Sequence, residues 1–257
     1  MSPEARAAAI GLLHGPAELL PISSSGHVTL VPWLAGWDDA RSTDPAVRKA
    51  FEVVLHLGTA AALPFALRGV GRPRPAVLAC SLVPPAVVGF ALERPIEERL
   101  GTPGTIAAGL VVGALAMALA DQFGPTDRRV QDAGWRDGLA LGLAQACALV
   151  PGISRNGATL AAARARGFAR ADADLLSWQV AVPVIAGASA LKGVRLARRG
   201  LPAGTARAFA VGAGGAFAST VVAARVIPRV RSLLPLAAYR IGLAGLVARR
   251  LWKDRGR

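Results

Sequence analysis

The sequence predicts an all-α integral membrane protein with about six transmembrane helices and two re-entrant helix hairpins, laid out as an inverted-topology repeat. Three observations lead there. Apolar residues come in long blocks, and the charges, mostly arginine, collect between them. Two further apolar stretches are interrupted at matching places and resemble each other. Hydrophobic residues make up 53% of the 257 and charged residues only 18%, against about a quarter in soluble domains.

The first interrupted stretch runs from about Ala7 to Trp37 and carries Gly15, Pro16, Pro21, Gly26 and Pro32 as breakers. A Pro-Ser-Gly break is incompatible with one continuous helix. Backbone left unpaired in lipid costs several kcal/mol per group, so such a break belongs where protein shields it or water reaches it. The stretch therefore reads as a helix–loop–helix hairpin entering the membrane partway. Three spans follow, in Val53–Leu67, Ala76–Leu92 and Thr105–Ala120. A second hairpin occupies about Gly138 to Ala165, with Pro151, Gly152 and Gly157 as breakers. Leu175–Leu191, Phe209–Val226 and Leu233–Ala248 complete the spans. About 17 residues suffice to cross a hydrocarbon core of roughly 30 Å as a helix. One such block fits a buried core helix, but six in one chain do not.

The two interrupted stretches read GLLHGPAELLPISSSGHVTL and GLAQACALVPGISRNGATL. Glycine, then His14 or Gln145, then proline, serine and glycine recur in order. Each copy precedes three spans, so one membrane domain divides into halves of about 1–130 and 131–257. An odd number of spans per half inverts the second relative to the first, and paired broken segments point to a binding site at the repeat interface. No basic, apolar, cleavable leader opens the chain, so insertion is expected to use the first hydrophobic segments.

The formal charge of +14 sits beside the spans. Arg68, Arg72 and Arg74 form one cluster, and Lys192, Arg195, Arg198 and Arg199 another. Arg225, Arg229 and Arg231 form a third, and the tail from Arg249 to Arg257 a fourth. They lack interleaved aromatics and flank apolar helices, which indicates anionic membrane lipid rather than nucleic acid as partner. Cys80 and Cys147 show neither metal-ligand nor disulfide spacing and read as packing residues. The five tryptophans mostly flank spans, as interface anchors do.

Chemistry concentrates in the two breaks. The first holds Glu18, Ser23, Ser24, Ser25 and His27; the second holds Ser154, Arg155, Asn156 and Thr159. Ionisable groups at membrane depth are costly and tend to be functional. A carboxylate, an imidazole, hydroxyls, a guanidinium and Gly-Ser backbone suit phosphoryl transfer. The arginine fork grips phosphate oxygens, and turn N–H groups and helix N-termini add anion donors. Ser24 or His27 supplies the nucleophile or base, while Glu18 orients the imidazole, takes a proton or holds a cation. Each has a plainer reading. The serines can bond helix carbonyls, Glu18 can pair with an arginine, His27 can be a satisfied core histidine, and Arg155 can reach the interface. His56 belongs to no catalytic pattern and reads equally as packing or cavity lining.

At these residues the chain resembles the bacterial undecaprenyl-diphosphatases, also called bacitracin-resistance proteins. That family's signatures are approximately E-G-x-x-E-F-L-P-[IV]-S-S-[ST]-G-H and P-G-x-S-R-S-G-A-T. HGPAELLPISSSGH from His14 to His27 is similar to the first, and PGISRNGAT from Pro151 to Thr159 to the second. FEVVLHLGT from Phe51 to Thr59, Ala181-Val182-Pro183 and Tyr239-Arg240 extend the likeness over nearly the whole chain. The resemblance implies a helical membrane fold in the bacterial plasma (inner) membrane. It also implies hydrolysis of undecaprenyl diphosphate to the monophosphate, which recycles the cell-wall lipid carrier. By position, the family's second glutamate falls on Glu18, its signature serines on Ser23 and Ser24, its histidine on His27 and its phosphate-binding arginine on Arg155. With the residue chemistry above, Glu18, Ser24 and His27 are the catalytic candidates, and Ser23, Ser154, Arg155, Asn156 and Thr159 the phosphate-binding ones. The family's activity is associated with Mg²⁺ or Ca²⁺. Expected partners are the polyprenyl diphosphate lipid and membrane lipids, with a homodimer left open and no nucleic acid.

Two positions depart from the pattern. Asn156 replaces a serine and can still donate to phosphate. His14 replaces the first glutamate, so a cation held by two carboxylates keeps one, Glu18. His14 lies four residues earlier on the same helix face and is a candidate ligand or a partner of Glu18. Two rival readings stand beside the phosphatase: a polyprenyl-phosphate transporter or flippase using the repeat for alternating access, and a non-catalytic lipid-binding paralogue.

Overall fold

The computed structural model describes residues 1–37, 44–66, 68–123, 127–226 and 232–256. Leu67, which ends the first apolar block, and Arg229 and Arg231 of the third basic cluster lie outside the described residues. The helices are α1 Pro3–Leu19, α2 Ser24–Leu34, α3 Pro45–Ala66, α4 Pro75–Leu100, α5 Pro103–Phe123, α6 Trp135–Cys147, α7 Arg155–Ala165, α8 Arg170–Arg199, α9 Ala206–Val226 and α10 Leu234–Arg255. Among the described residues there is no strand, only one isolated bridge between Arg128 and Phe168.

Over its described residues each apolar block coincides with one helix, with Leu233 as the N-cap of α10. Four helices, α4, α5, α8 and α9, are long and apolar enough to cross a membrane. The helices that hold the other two expected spans, α3 and α10, have 22 residues each, but they run past their apolar blocks into charge. Arg48, Lys49 and Glu52 open α3, and Arg249 to Arg255 close α10. Outward faces are apolar: on α4, Val83, Val87 and Phe90 are exposed, Phe90 at 94%. A row of that kind fits a lipid-facing surface better than a watery one.

Both interrupted stretches form two helices joined by a turn, with fewer breaks than the proline count suggested. The first break is confined to Leu20–Ser23, because α1 continues through Pro16 and α2 through Pro32. Each internal proline removes one i→i−4 bond, and neighbouring helices and local adjustment can re-satisfy the freed carbonyl. Gly15, Gly26 and Gly157, expected as breakers, lie inside helices. Gly15 permits close packing instead, since a Cβ there would overlap the Thr220 amide and Ser219 on α9.

The chain forms two compact units that do not follow the sequence halves. Unit 1 comprises Met1–Leu19, His27–Gly69 and Val182–Pro228; unit 2 comprises Leu20–Gly26, Val70–Ala181 and Arg229–Arg257. In unit 1, α9 packs on α1 and α3. In unit 2, α4 packs on α6, α5 packs on α7 and α10, and α6 packs on α7. Small residues bring the backbones together in both. Gly11 and Gly15 of α1 meet α9 at Gly212, Ser219 and Thr220, while Gly138 and Gly142 of α6 meet α4 at Val77, Cys80 and Ser81.

Asp137 anchors the entry to α6. Its carboxylate receives Arg128 at 2.7 and 2.8 Å, Arg166 at 2.8 Å and the Gly134 amide at 2.9 Å. Burial pushes the carboxyl up, but the bonds from Arg128, Gly134 and Arg166 outweigh it and hold the pKa at about 2.

Candidate functional site

The two breaks are built to one plan, and both turns belong to unit 2. Ser23 directly precedes α2, and its Oγ accepts the Gly26 amide at 3.3 Å. Ser154 is the N-cap of α7, and its Oγ accepts the Gly157 amide at 3.2 Å. Serine followed three residues later by glycine thus caps both helices. Ser24 and Arg155 then hold equivalent first positions of α2 and α7. Both turns also need unusual backbone: φ is +76° at Ser23, the only positive value among described non-glycine residues, and +96° at Gly152. A serine in the left-handed region is strained, and such strain clusters at functional sites.

A guanidinium joins the turns. Arg240 of α10 is fully buried, with Nη1 donating to the Pro21 carbonyl at 3.1 Å and Nη2 to the Gly152 carbonyl at 2.9 Å. Pro21 lies two residues before Ser23, and Gly152 two before Ser154, so one side chain grips the same point of both turns. A longer bond of 3.4 Å runs from Nη2 to Gly109 on α5. Gly113 and Gly157 make room: a Cβ at Gly113 would overlap Nη2, and one at Gly157 would lie 2.9 Å from Nη1. Beyond its place in the Tyr239-Arg240 pair, sequence reasoning missed this residue. An arginine in the apolar block Leu233–Ala248 was the available signal.

Around the second turn, Ser177 of α8 donates to Asn156 Oδ1 at 2.8 Å and lies 2.5 Å from Thr159 Oγ1. The bond to Oδ1 leaves Nδ2 as the donor end of Asn156. Thr159, fully buried, turns its hydroxyl to the carbonyls of Arg155 at 3.0 Å and Asn156 at 3.2 Å. Ser177 was also missed, having no motif of its own. Ser23, Ser24, Ser154 and Asn156 are all buried. With Arg155 heading α7, the turns present hydroxyls, capped helix N-termini and a cation, a set that suits a phosphate.

Unit 1 holds His14, Glu18 and His27, all buried. His27 stands one turn into α2, three residues after Ser24. His14 and Glu18 share a face of α1, and His56 of α3 joins them: one ligand atom from each of the three lies within 4.8 Å of the others. The imidazoles of His14 and His56 meet edge to face, with centroids 4.7 Å apart. Mg²⁺ and Ca²⁺ take oxygen ligands, whereas this cluster offers two nitrogens and one carboxylate. The donor set does not fit the ions that the resemblance implied.

Comparison with known proteins agrees over most of the chain. The family described as bacitracin resistance protein BacA matches residues 7–246. The undecaprenyl-diphosphatase of Geobacter sulfurreducens is 38% identical, covering 94% of this chain and 96% of its own. The undecaprenyl-diphosphatase of Geobacter metallireducens is 36% identical, with 93% and 94% covered. That of Thermomicrobium roseum is 35% identical, with 94% and 95% covered. With its two serine-capped turns inside the matched region, the chain belongs to the BacA bacitracin resistance protein family.

Proposed function

We infer that this chain is an undecaprenyl-diphosphate phosphatase, which hydrolyses the lipid diphosphate to undecaprenyl phosphate and inorganic phosphate and so returns the carrier lipid to cell-wall synthesis. The family match and three relatives bearing that enzyme's name support the activity. The observation that carries the chemistry is the pair of serine-capped turns held by one guanidinium. The α7 turn grips the diphosphate through Arg155, the Asn156 amide and the helix N-terminus. Ser23 and Ser154 keep the turns open by capping them.

Ser24, heading α2, attacks the terminal phosphorus; the bridging P–O bond breaks and leaves undecaprenyl phosphate. Water then releases inorganic phosphate from the serine. His27, one turn further along α2, moves the proton in both steps, and Glu18 holds the imidazole's charge. In the proposed arrangement of six spans and two re-entrant hairpins in the bacterial plasma membrane, the turns lie at membrane depth and the lipid tail stays among helices. The matched packing of α1 on α9 and of α6 on α4 supports an inverted repeat of residues 1–130 and 131–257.

The test is phosphate release from C55 polyprenyl diphosphate by detergent-purified protein, beside Arg155→Ala and Ser24→Ala. The expected result is turnover in the wild type and a loss of at least ~100-fold in each variant. No release under any metal condition, with the lipid still bound, would overturn the reading in favour of transport or binding.

A further inference from the structure

We propose that His14, Glu18 and His56 form a binding site for a first-row transition-metal dication of the Zn²⁺ kind. Mg²⁺ and Ca²⁺ would bind there only weakly. The inference deepens the phosphatase reading by naming an ion, but it stands on the hydrogen bonds around the cluster.

Those bonds determine which imidazole nitrogens are bare. Thr220 donates its hydroxyl proton to the Ala216 carbonyl at 2.7 Å, so towards Thr59, 3.2 Å away, it can only accept. Thr59 spends its proton on Thr220 and can therefore only accept from His14 Nδ1, at 3.0 Å. His14 is thus protonated at Nδ1, and in the neutral ring its Nε2 carries the lone pair. That Nε2 is buried and has no hydrogen-bond partner, in a side chain with no exposed surface. A buried polar atom left unpaired costs about 1–3 kcal/mol, and a cation would relieve that cost. His56 shows the same arrangement: its Nδ1 lies 2.9 Å from the Glu52 carbonyl, which can only accept, so in the neutral ring the lone pair sits on Nε2 as well. Fixing Nδ1–H on a carbonyl or hydroxyl is how proteins orient a ligating histidine.

The result is two imidazoles whose Nδ1 atoms are engaged, and one carboxylate, drawn from α1 and α3 with one ligand atom of each within 4.8 Å of the others. Imidazole suits Zn²⁺, Cu²⁺, Fe²⁺ and Ni²⁺, whereas Mg²⁺ and Ca²⁺ require oxygen. Two histidines and a glutamate around Zn²⁺ leave a fourth position open for water or a phosphate oxygen. Ligands about 2.1 Å from one ion lie at most about 4.2 Å apart, so side-chain rotations of about 1 Å would close the cluster.

The experiment uses untagged full-length protein in detergent, stripped with chelator, in a Cys80→Ser/Cys147→Ser background so that the free thiols supply no ligand. Co²⁺, a coloured stand-in for Zn²⁺, is titrated and followed by visible absorption. One Co²⁺ per chain should bind, be displaced by one equivalent of Zn²⁺, and resist millimolar Mg²⁺ or Ca²⁺. His56→Ala should weaken binding at least 100-fold. Thr59→Val, which removes only the orienting hydroxyl, should weaken it roughly 10–100-fold and decides the matter if His56→Ala misfolds. His14→Glu should shift preference towards Mg²⁺. No Co²⁺ binding, binding unchanged in His56→Ala and Thr59→Val, or displacement by millimolar Mg²⁺ would each overturn the proposal. Phosphate release without Co²⁺ binding would sink this proposal alone; Co²⁺ binding without phosphate release would sink only the activity.

Discussion

Replacing Arg240 by methionine keeps much of the side chain's volume and removes every donor that ties the two turns together. Two bonds of normal length are lost, to Pro21 and Gly152, along with a weaker one to Gly109. A bond from a charged donor contributes about 1.5–3 kcal/mol, so the gross loss is about 3–6 kcal/mol. Relief from burying a guanidinium that has no carboxylate partner among the described residues offsets part of this. A net destabilisation of about 2–4 kcal/mol remains. Activity should fall further than stability, because displacing reacting groups by about 1 Å costs roughly 100-fold. The assay pairs thermal unfolding in detergent with steady-state phosphate release at a temperature where the variant is folded. The expected loss is in kcat, with KM changed less than about threefold, since Arg155, the proposed diphosphate grip, is left in place. Arg240→Lys should recover only part, because a single ammonium cannot reach two carbonyls as the planar fork does. Arg240→Met turning over within threefold of wild type while folded would refute the idea that this side chain sets the turns.

Two further outcomes follow from the packing and the ion pairs. Asp137 has its carboxyl lowered from 3.8 to about 2, so its contribution is complete above pH ~4 and is lost as pH falls towards 2. Asp137→Asn should therefore lower stability by about 1 kcal/mol at neutral pH, a figure reduced from the full shift because Arg128 and Arg166 are partly exposed. Thermal unfolding of the pair of proteins across pH should show that gap constant above pH ~4 and shrinking below it; a gap widening in acid would contradict the assignment. Gly15→Ala drives a methyl into α9 and should cost roughly 1–3 kcal/mol. Gly214→Ala, on α9 facing open space, should gain about 0.5–1 kcal/mol; equal effects in unfolding scans would contradict the packing.

Much of the fold was legible because apolar blocks and broken apolar blocks differ in composition. Long uncharged runs have one stable outcome in lipid, a helix, so each expected span coincides with a helix over its described residues, and four of these helices are long and apolar enough to cross a membrane. The errors came from reading each proline and glycine as a breaker. Whether Pro16 ends α1 depends on what neighbours supply for the freed carbonyl, and whether Gly15 breaks a helix or seats one depends on α9. The candidate site was legible where chemistry is concentrated locally, as in Ser23-Ser24-Ser25 and Ser154-Arg155-Asn156. It was not legible where a residue acts across many positions.

Local sequence by itself determined which segments are helical and that a serine-rich break interrupts each of the two paired stretches. Tertiary packing alone decided that Arg240 reaches carbonyls 219 and 88 positions away, that Ser177 orients Asn156, and that His56 of α3 comes within ligand distance of His14 and Glu18 of α1. The physical reason is the range of the forces involved. Helix propensity and hydrophobic blocks act over a few residues, whereas a hydrogen bond or a ligand set depends on ångström distances between segments that only packing brings together.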